Sequence, residues 1–386
     1  MNRFIPYSHQ YIDQDDIDAV VRVLRSDYIT QGPNVDVFEN ALCRYTGAKY
    51  AVAVSSGTAA LHIACLAAGI KARDEVITSP ITFLASANSV LYCGGRPVFA
   101  DVQHDTINID PKEIKTKIHK KTKALIPVHF AGHPCDMEEI SAIADRNGLV
   151  VIEDAAHAVG AEYKGSKIGA CKYSDMTIFS FHPVKSITTG EGGAVLTNKK
   201  DLYEKLLMLR SHGISRDRLR FVCQDQRLTG SWYYEMQCLG FNYRITDIQS
   251  ALGLSQLKKL NTFVIRRRQI AETYNKKLCG IEDILLPVER SYVSSSYHIY
   301  CIRTRDPKDR TPLFNILRAS GIGAQVHYIP VYLQPYYKQL GYAKGLCRKA
   351  EEFYGGEISI PMYPAIRERE IDYVVKKIAG FFGAGW

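Results

Sequence analysis

An α/β fold, with a large, mostly parallel sheet domain and a smaller C-terminal α/β domain, is the architecture this sequence predicts, on three observations. Short apolar runs alternate with helix-like stretches over about two hundred residues, the pattern of parallel strands covered on both faces. The chain's 386 residues exceed the size at which one core keeps growing, so two unequal units are expected. A long amphipathic helix begins around Ile248–Leu260, which places the division between residues 1–250 and 251–386.

In chain order, Ile17, Val20, Val21 and Leu24 recur at helical spacing, with Asp15, Asp16 and Asp18 favouring the N-terminal end. The following SDYITQGPNV reads as a loop by its Gly-Pro. From Tyr50, an apolar strand runs through Ser55-Ser56-Gly57-Thr58 into a helix whose apolar face includes Leu61, Ala64, Cys65 and Ala68. A glycine-containing turn at a helix N-terminus offers free N–H groups to an anion, so Gly57 and Thr58 are phosphate candidates, a plain helix cap being the alternative. There is no GxxxxGK[ST] and no GxGxxG after a strand. Glu75-VITSPITFLASANSV repeats the strand, loop, helix pattern, and Pro97–Asp101 and Ala124-LIPVHF are further strands. His129 and His133 would need a helix between them to share a metal, and Gly132 with Pro134 opposes one, so no metal is expected.

Two runs then carry chemistry to their ends. Leu149–Ile152 is a buried-type strand that delivers Glu153-Asp154, and Met176–Phe181 ends in His182-Pro183 with Lys185 just beyond. In an open α/β sheet the ligand crevice lies outside the carboxyl ends of the strands, so Asp154 and Lys185 face a common pocket. Gly190, Gly192 and Gly193 permit a tight turn before the strand Ala194–Thr197. From Ile214 to Glu235 the periodicity is lost and a long excursion is expected. Farther on, Tyr297-HIYCIRT and Gly323-AQVHYIPVY read as strands and Arg369–Ile378 as an amphipathic helix of the smaller domain.

The composition, 46% hydrophobic and 23% charged, is that of an ordinary globular protein. No apolar run approaches the roughly eighteen residues needed to span a bilayer, and acids stand where a signal peptide would be apolar, so a cytoplasmic location is expected. Ten cysteines are scattered without a CxxC, against zinc and against a disulfide framework. The net charge of +9 is dispersed, and its one dense cluster, Arg266–Arg268, lacks interleaved aromatics and reads as a solvated helix face rather than a nucleic-acid surface. Excess positive charge suits a small substrate carrying a diphosphate.

A lysine and a carboxylate at one crevice are what pyridoxal phosphate chemistry requires. The lysine amine binds the aldehyde and shuttles the proton, and the carboxylate keeps the pyridine nitrogen protonated. Lys185 and Asp154 fit these roles. Isolated, such a pair is common at strand ends, but here the context EDAAHAVG, FSFHPVK, TTGEGGAVLTN, RSHGI and GFNYRITDIQSALGLSQL, in this order, resembles the DegT/DnrJ/EryC1/StrS family of nucleotide-sugar aminotransferases. The resemblance runs from about Gln31 to the C-terminus.

It implies a fold-type I pyridoxal phosphate enzyme that passes through pyridoxamine phosphate, with glutamate as amino donor. It further implies that Phe83 stacks on the pyridine, that His157 contacts the 3-hydroxyl oxygen where many relatives carry glutamine, and that Ser180 joins Gly57 and Thr58 at the phosphate. Asn242 would reach the phosphate of the neighbouring subunit, making a homodimer with shared sites. Tyr28, Thr30, His327 and Tyr328 are the implied substrate contacts. SHGI, SALGLSQLKK and AQVHYIPVY resemble the branch that serves pseudaminic acid biosynthesis by aminating a UDP-linked 4-keto-6-deoxy-N-acetylhexosamine; dTDP- or GDP-linked ketones are the alternatives. Sugar 3-dehydratases of the family carry histidine at the Schiff-base position, and Lys185 argues against that reaction. A regulator sensing pyridoxal phosphate would need a DNA-binding module, and no such pattern is legible.

Overall fold

The structure, a computed structural model, describes residues 4–217, 219, 221–223 and 230–383. Its centre is a seven-stranded sheet in the order Tyr50–Val54, Gly193–Thr197, Met176–Ser180, Val150–Asp154, Thr122–Ile126, Glu75–Thr78, Arg96–Phe99. Gly193–Thr197 runs antiparallel to both neighbours, and the other pairings are parallel. The strands are apolar throughout because both faces are covered. Along Tyr50–Val54, Ala51 and Ala53 enter one core while Val52 and Val54 enter the other, and Val151 and Ile152 divide in the same way. That is the period of two for a strand buried on both sides.

A second core lies toward the C-terminus. The antiparallel strands Ile284–Leu285, Tyr300–Thr304 and Glu357–Ile360 pack with helices Pro307–Ala319 and Glu368–Phe381 around Tyr274, Tyr300, Leu313, Ile358 and Val374. Helix Asp247–Leu278 links the two cores. It opens with a capping box, Thr246 with Gln249, gives Leu257 and Leu260 to the first core, and gives Ile270, Tyr274 and Leu278 to the second. It runs straight across position 250. The N-terminal segment also crosses that division: Ile5 exchanges backbone hydrogen bonds with Gly321 and Gly323 (2.9 and 2.7 Å), and Met362 donates its N–H to the Tyr7 carbonyl at 2.8 Å.

Several local readings change. Gly32-Pro33 starts a helix, Pro33–Thr46, because Asp247 accepts the N–H groups of Gly32 (2.7 Å) and Asn34 (2.9 Å) at its exposed first turn. The run from Gly323 forms no strand. It is an extended segment held by isolated bridges, Ile5 to Ile322 and Gln325 to Ser359. In the excursion, Ile214–Ser215 and Glu235–Met236 pair antiparallel, and residues 218, 220 and 224–229 lie outside the described residues.

The arginine cluster is not a solvated face. Arg267 is 1% exposed and its Nη1 donates to the carbonyls of Tyr297, His298 and Met362 at 3.3, 3.0 and 3.1 Å, while Arg268 pairs with Glu289. Those carbonyls belong to the ends of the smaller sheet, and each would cost about 1–3 kcal/mol if left unpaired.

Candidate active site

The sheet register sets the site. Asp154, at the carboxyl end of its strand, lies opposite Ile178, so Ser180 and the turn to Lys185 leave the next strand beside it. Asp154 is 5% exposed, and its Oδ2 accepts the Ser86 hydroxyl at 2.5 Å while Oδ1 accepts the Ala156 N–H at 3.1 Å. Behind it, Glu153 points to the opposite face of the strand. There it takes the hydroxyl of Thr177 at 3.0 Å and meets His129 Nε2 at 2.7 Å. His129 Nδ1 already accepts the Cys135 N–H, so the proton sits on Nε2 and is donated to Glu153. His133 is hydrogen-bonded as well, through the Arg290 N–H at its Nε2. Both histidines thus serve the scaffold, and among the described residues no cluster of metal-ligating side chains occurs.

Lys185 follows Pro183 in a turn closed by its own N–H to the His182 carbonyl at 2.9 Å. Burial disfavours its ammonium and lowers its pKa to about 8, partly opposed by the Asp154 carboxylate. A lysine of that kind is a usable amine near neutral pH. A narrow cleft beside it is lined by His9, Tyr11, Thr188, Gln256 and Arg267. A roomier cavity elsewhere, between helices Gln14–Leu24 and Asp247–Leu278, carries none of the candidate residues.

Across the sheet, Gly57 and Thr58 open the helix Gly57–Ala67, with the Ser56 side chain accepting from Ala59 at 3.0 Å. The first N–H groups of a helix have no partner within it, so those of Gly57 and Thr58 are free for an anion. A Cβ on Gly57 would lie 2.8 Å from the Ser180 Cβ, so only glycine lets the helix start and Ser180 converge. Gly193 is not a turn residue. It begins a strand and presses on the same turn, where a Cβ would meet the Ser56 carbonyl and Gly57 N at 2.6–2.7 Å.

His157 is buried. Its Nε2 pairs with the Tyr328 hydroxyl at 3.2 Å, and its Nδ1 has no partner among the described residues. Desolvation, with the charges of Lys185 and His327, holds it far below the usual histidine range and therefore neutral. The ring of His298, unforeseen in the sequence, lies tilted against it with 4.3 Å between centroids. Phe83 is not a core residue: it is 58% exposed, with its ring 6.5 Å from that of Tyr328. His327 lies beside Tyr7 (5.6 Å between rings), and burial together with Lys185 lowers its pKa to about 4.

The remaining candidates lie at the rim. Thr30 bridges to Thr246 and Tyr28 is exposed; Asn242 bridges to Ser211 through its backbone, and its side chain faces outward. Tyr7, Ser8, Ser86, His298 and Glu357 were not singled out by sequence. Ser8, whose hydroxyl donates to the Val184 carbonyl at 3.2 Å, lies far along the chain from the residue it holds, and no local pattern marks it.

The profile of the DegT/DnrJ/EryC1/StrS aminotransferase family matches residues 10–379. The chain belongs to this family. It is 41% identical over 375 residues to the UDP-4-amino-4,6-dideoxy-N-acetyl-beta-L-altrosamine transaminase of Campylobacter jejuni, covering 96% of this chain and 95% of the relative. Among solved structures, Helicobacter pylori PseC, an aminotransferase involved in the biosynthesis of pseudoaminic acid, superposes with a TM-score of 0.91 at 34% identity, covering 99% of this chain and all of that one. The putative sugar aminotransferase Spr1654 of Streptococcus pneumoniae in its PLP form gives 0.91 at 31%, covering 98% and 99%. This DegT/DnrJ/EryC1/StrS member is therefore an aminotransferase that uses pyridoxal phosphate, on the fold-type I architecture.

Proposed function

We propose that this aminotransferase moves the amino group of glutamate onto the keto carbon of a UDP-linked 4-keto-6-deoxy-N-acetylhexosamine, a step of pseudaminic acid biosynthesis. The observation that carries this reading is the full-length likeness to the Campylobacter transaminase and to PseC, joined to a site with Lys185 and Asp154 at neighbouring strand ends.

Pyridoxal phosphate, when bound, supplies a carbonyl to carry the amino group and a ring to absorb charge from the substrate carbon. This chain's groups match its parts. The free N–H groups of Gly57 and Thr58, with the Ser180 hydroxyl, would hold the phosphate. Asp154, steadied by Ser86, would favour the protonated form of the pyridine nitrogen. The unpartnered Nδ1 of His157 would serve the 3-hydroxyl oxygen, and the exposed Phe83 ring would pack against the pyridine. The Lys185 amine, whose pKa burial lowers to about 8, would carry the proton from the amino donor's carbon to the cofactor carbon, and in the second half-reaction from the cofactor carbon to the sugar carbon. His327 and Tyr328, with Tyr28 and Thr30 at the rim, meet the sugar nucleotide.

The active unit in this reading is a homodimer, in which the outward-facing Asn242 completes the partner subunit's phosphate site. Among the described residues no helix is long and apolar enough to cross a membrane.

The test is a panel of UDP-, dTDP- and GDP-linked keto sugars offered with glutamate and pyridoxal phosphate and read by mass. The UDP-linked N-acetylated ketone is expected to exceed the others by at least about tenfold in kcat/KM, since a site that hydrogen-bonds a group rejects ligands lacking it. Equal rates on all three would overturn the substrate assignment.

A further inference from the structure

Glu357, the first residue of the strand Glu357–Ile360, is a wholly buried carboxyl behind His327 that the transamination steps do not use. Ser359 shares its face of the strand, and the reciprocal backbone pairing of Ser359 with Gln325 draws the following extended segment over them. His327 is thereby seated on both side chains. Its backbone N–H donates to Glu357 Oε2 at 2.7 Å, its Nδ1 lies 2.8 Å from the Ser359 hydroxyl, and that hydroxyl lies 2.6 Å from Glu357 Oε1. His327 Nε2 makes no hydrogen bond to any described residue.

We propose that Glu357 is a positioning residue that acts through the Ser359 hydroxyl to decide which nitrogen of His327 carries the proton, and hence whether Nε2 meets the substrate as donor or acceptor. The reason is that the hydroxyl has a single proton. When Glu357 is ionised it must receive that proton, so Ser359 can only accept from His327, which then bears Nδ1–H and a bare Nε2. When Glu357 is protonated, Oε1–H donates to Ser359, Ser359 donates to Nδ1, and Nε2 carries the ring proton. The backbone N–H of His327 donates to Oε2 in both states. The Cys301 thiol, 3.2 Å from the hydroxyl and kept protonated by burial, donates in both as well.

The other groups around the chain do not fix its polarity. Arg303 pairs with Glu357 across the small sheet through its backbone, and Arg310 contributes a distant positive charge. On the cleft side, Lys185, Tyr7, Tyr328, His157 and His298 surround the ring, the cation among them helping to keep it neutral. Burial raises the Glu357 pKa to about 8, against the pull of Ser359, the His327 N–H, Cys301 and Arg310, so the protonated polarity and an Nε2–H donor hold at neutral pH.

This inference rests on the assignment of His327 to the substrate cleft, and the test separates the two. In holoenzyme with nitrogen-15-labelled histidine, His327 (assigned by its loss in His327→Asn) should show Nε2–H at pH 6.5 and pass to Nδ1–H as the pH rises through about 8. Glu357→Gln, whose amide oxygen accepts the backbone N–H and whose NH2 donates to Ser359, should hold Nε2–H up to pH 9.5. Its kcat/KM for the keto sugar should also stay flat where the wild type falls by about tenfold. Ser359→Ala, which cuts the relay but spares the Glu357 backbone bond, should raise KM for the sugar more than it lowers kcat and should mix the tautomers. A His327 tautomer that is constant across the range in the wild type, or that titrates alike in Glu357→Gln, overturns the proposal. Tautomers that follow it without any change in sugar kinetics uphold the relay and remove His327 from the substrate.

Discussion

Lys185 and Asp154 are held in different ways. Burial disfavours the Lys185 ammonium and releases the amine. Asp154 is fixed in place by hydrogen bonds from the Ser86 hydroxyl and the Ala156 N–H. Asp154→Asn should therefore lower turnover by more than about a hundredfold, over 2.7 kcal/mol on the barrier, while cofactor affinity falls far less; steady-state kinetics alongside cofactor titration checks it, and a change within tenfold would refute the role. Glu357 gives a second residue-scale prediction through stability. Its pKa rises from an ordinary 4.5 to about 8 on folding, so the folded state binds the extra proton between those values. The stabilisation is complete below about pH 4.5 and is lost as the pH rises through about 8. Denaturant midpoints should show Glu357→Gln gaining on the wild type from pH 5 to pH 8.5. A parallel decline of both would mean that the carboxyl is ionised throughout.

At the scale of elements, strands and their ends were legible because two-sided burial writes itself as continuous apolar runs. The chemistry follows directly from where Val150–Asp154 and Met176–Ser180 stop. What escaped was decided by partners distant in sequence. The segment after Gly323 has the alternation of a strand but meets the edge strand Glu357–Ile360 only through the single bridge of Gln325 to Ser359. Arg267 sits in a basic cluster that looks solvated, and only the carbonyls of Tyr297, His298 and Met362 show why it is buried. Gly193 belongs to this class too, because the backbone it touches lies more than a hundred residues earlier. Gly193→Ala must push the Ser56–Gly57 turn outward and misaim the free N–H groups. Pyridoxal phosphate affinity should fall by at least about tenfold, roughly the worth of a charge-assisted hydrogen bond. Equilibrium dialysis reads it, and unchanged affinity would place the phosphate elsewhere.

For the molecule as a whole, Phe83 and Asn242 are both exposed in the single chain, and the proposed role of Asn242 requires a partner subunit to cover a site. If the partner subunit does, a Lys185→Ala chain mixed with an Asn242→Ala chain forms heterodimers holding one doubly damaged site and one intact site. Random assembly makes about half the dimers mixed, so roughly a quarter of wild-type activity should return. Activity that stays at the mean of the two parents, with mixed dimers confirmed by mass, would place Asn242 outside the shared site. The N-terminal segment imposes a different kind of order, one of time. Its seats are Gly321, Gly323 and Met362, and its Ser8 hydroxyl in turn tethers the carbonyl next to Lys185. A ribosome builds the chain from the other end, and domains fold as they emerge. The large sheet, through Thr197, is thus available to fold while Ile5 and Tyr7 still have nothing to dock on. A nascent chain halted before Met362 already carries Lys185, but the tether on that lysine's loop waits for almost the last residues to be made.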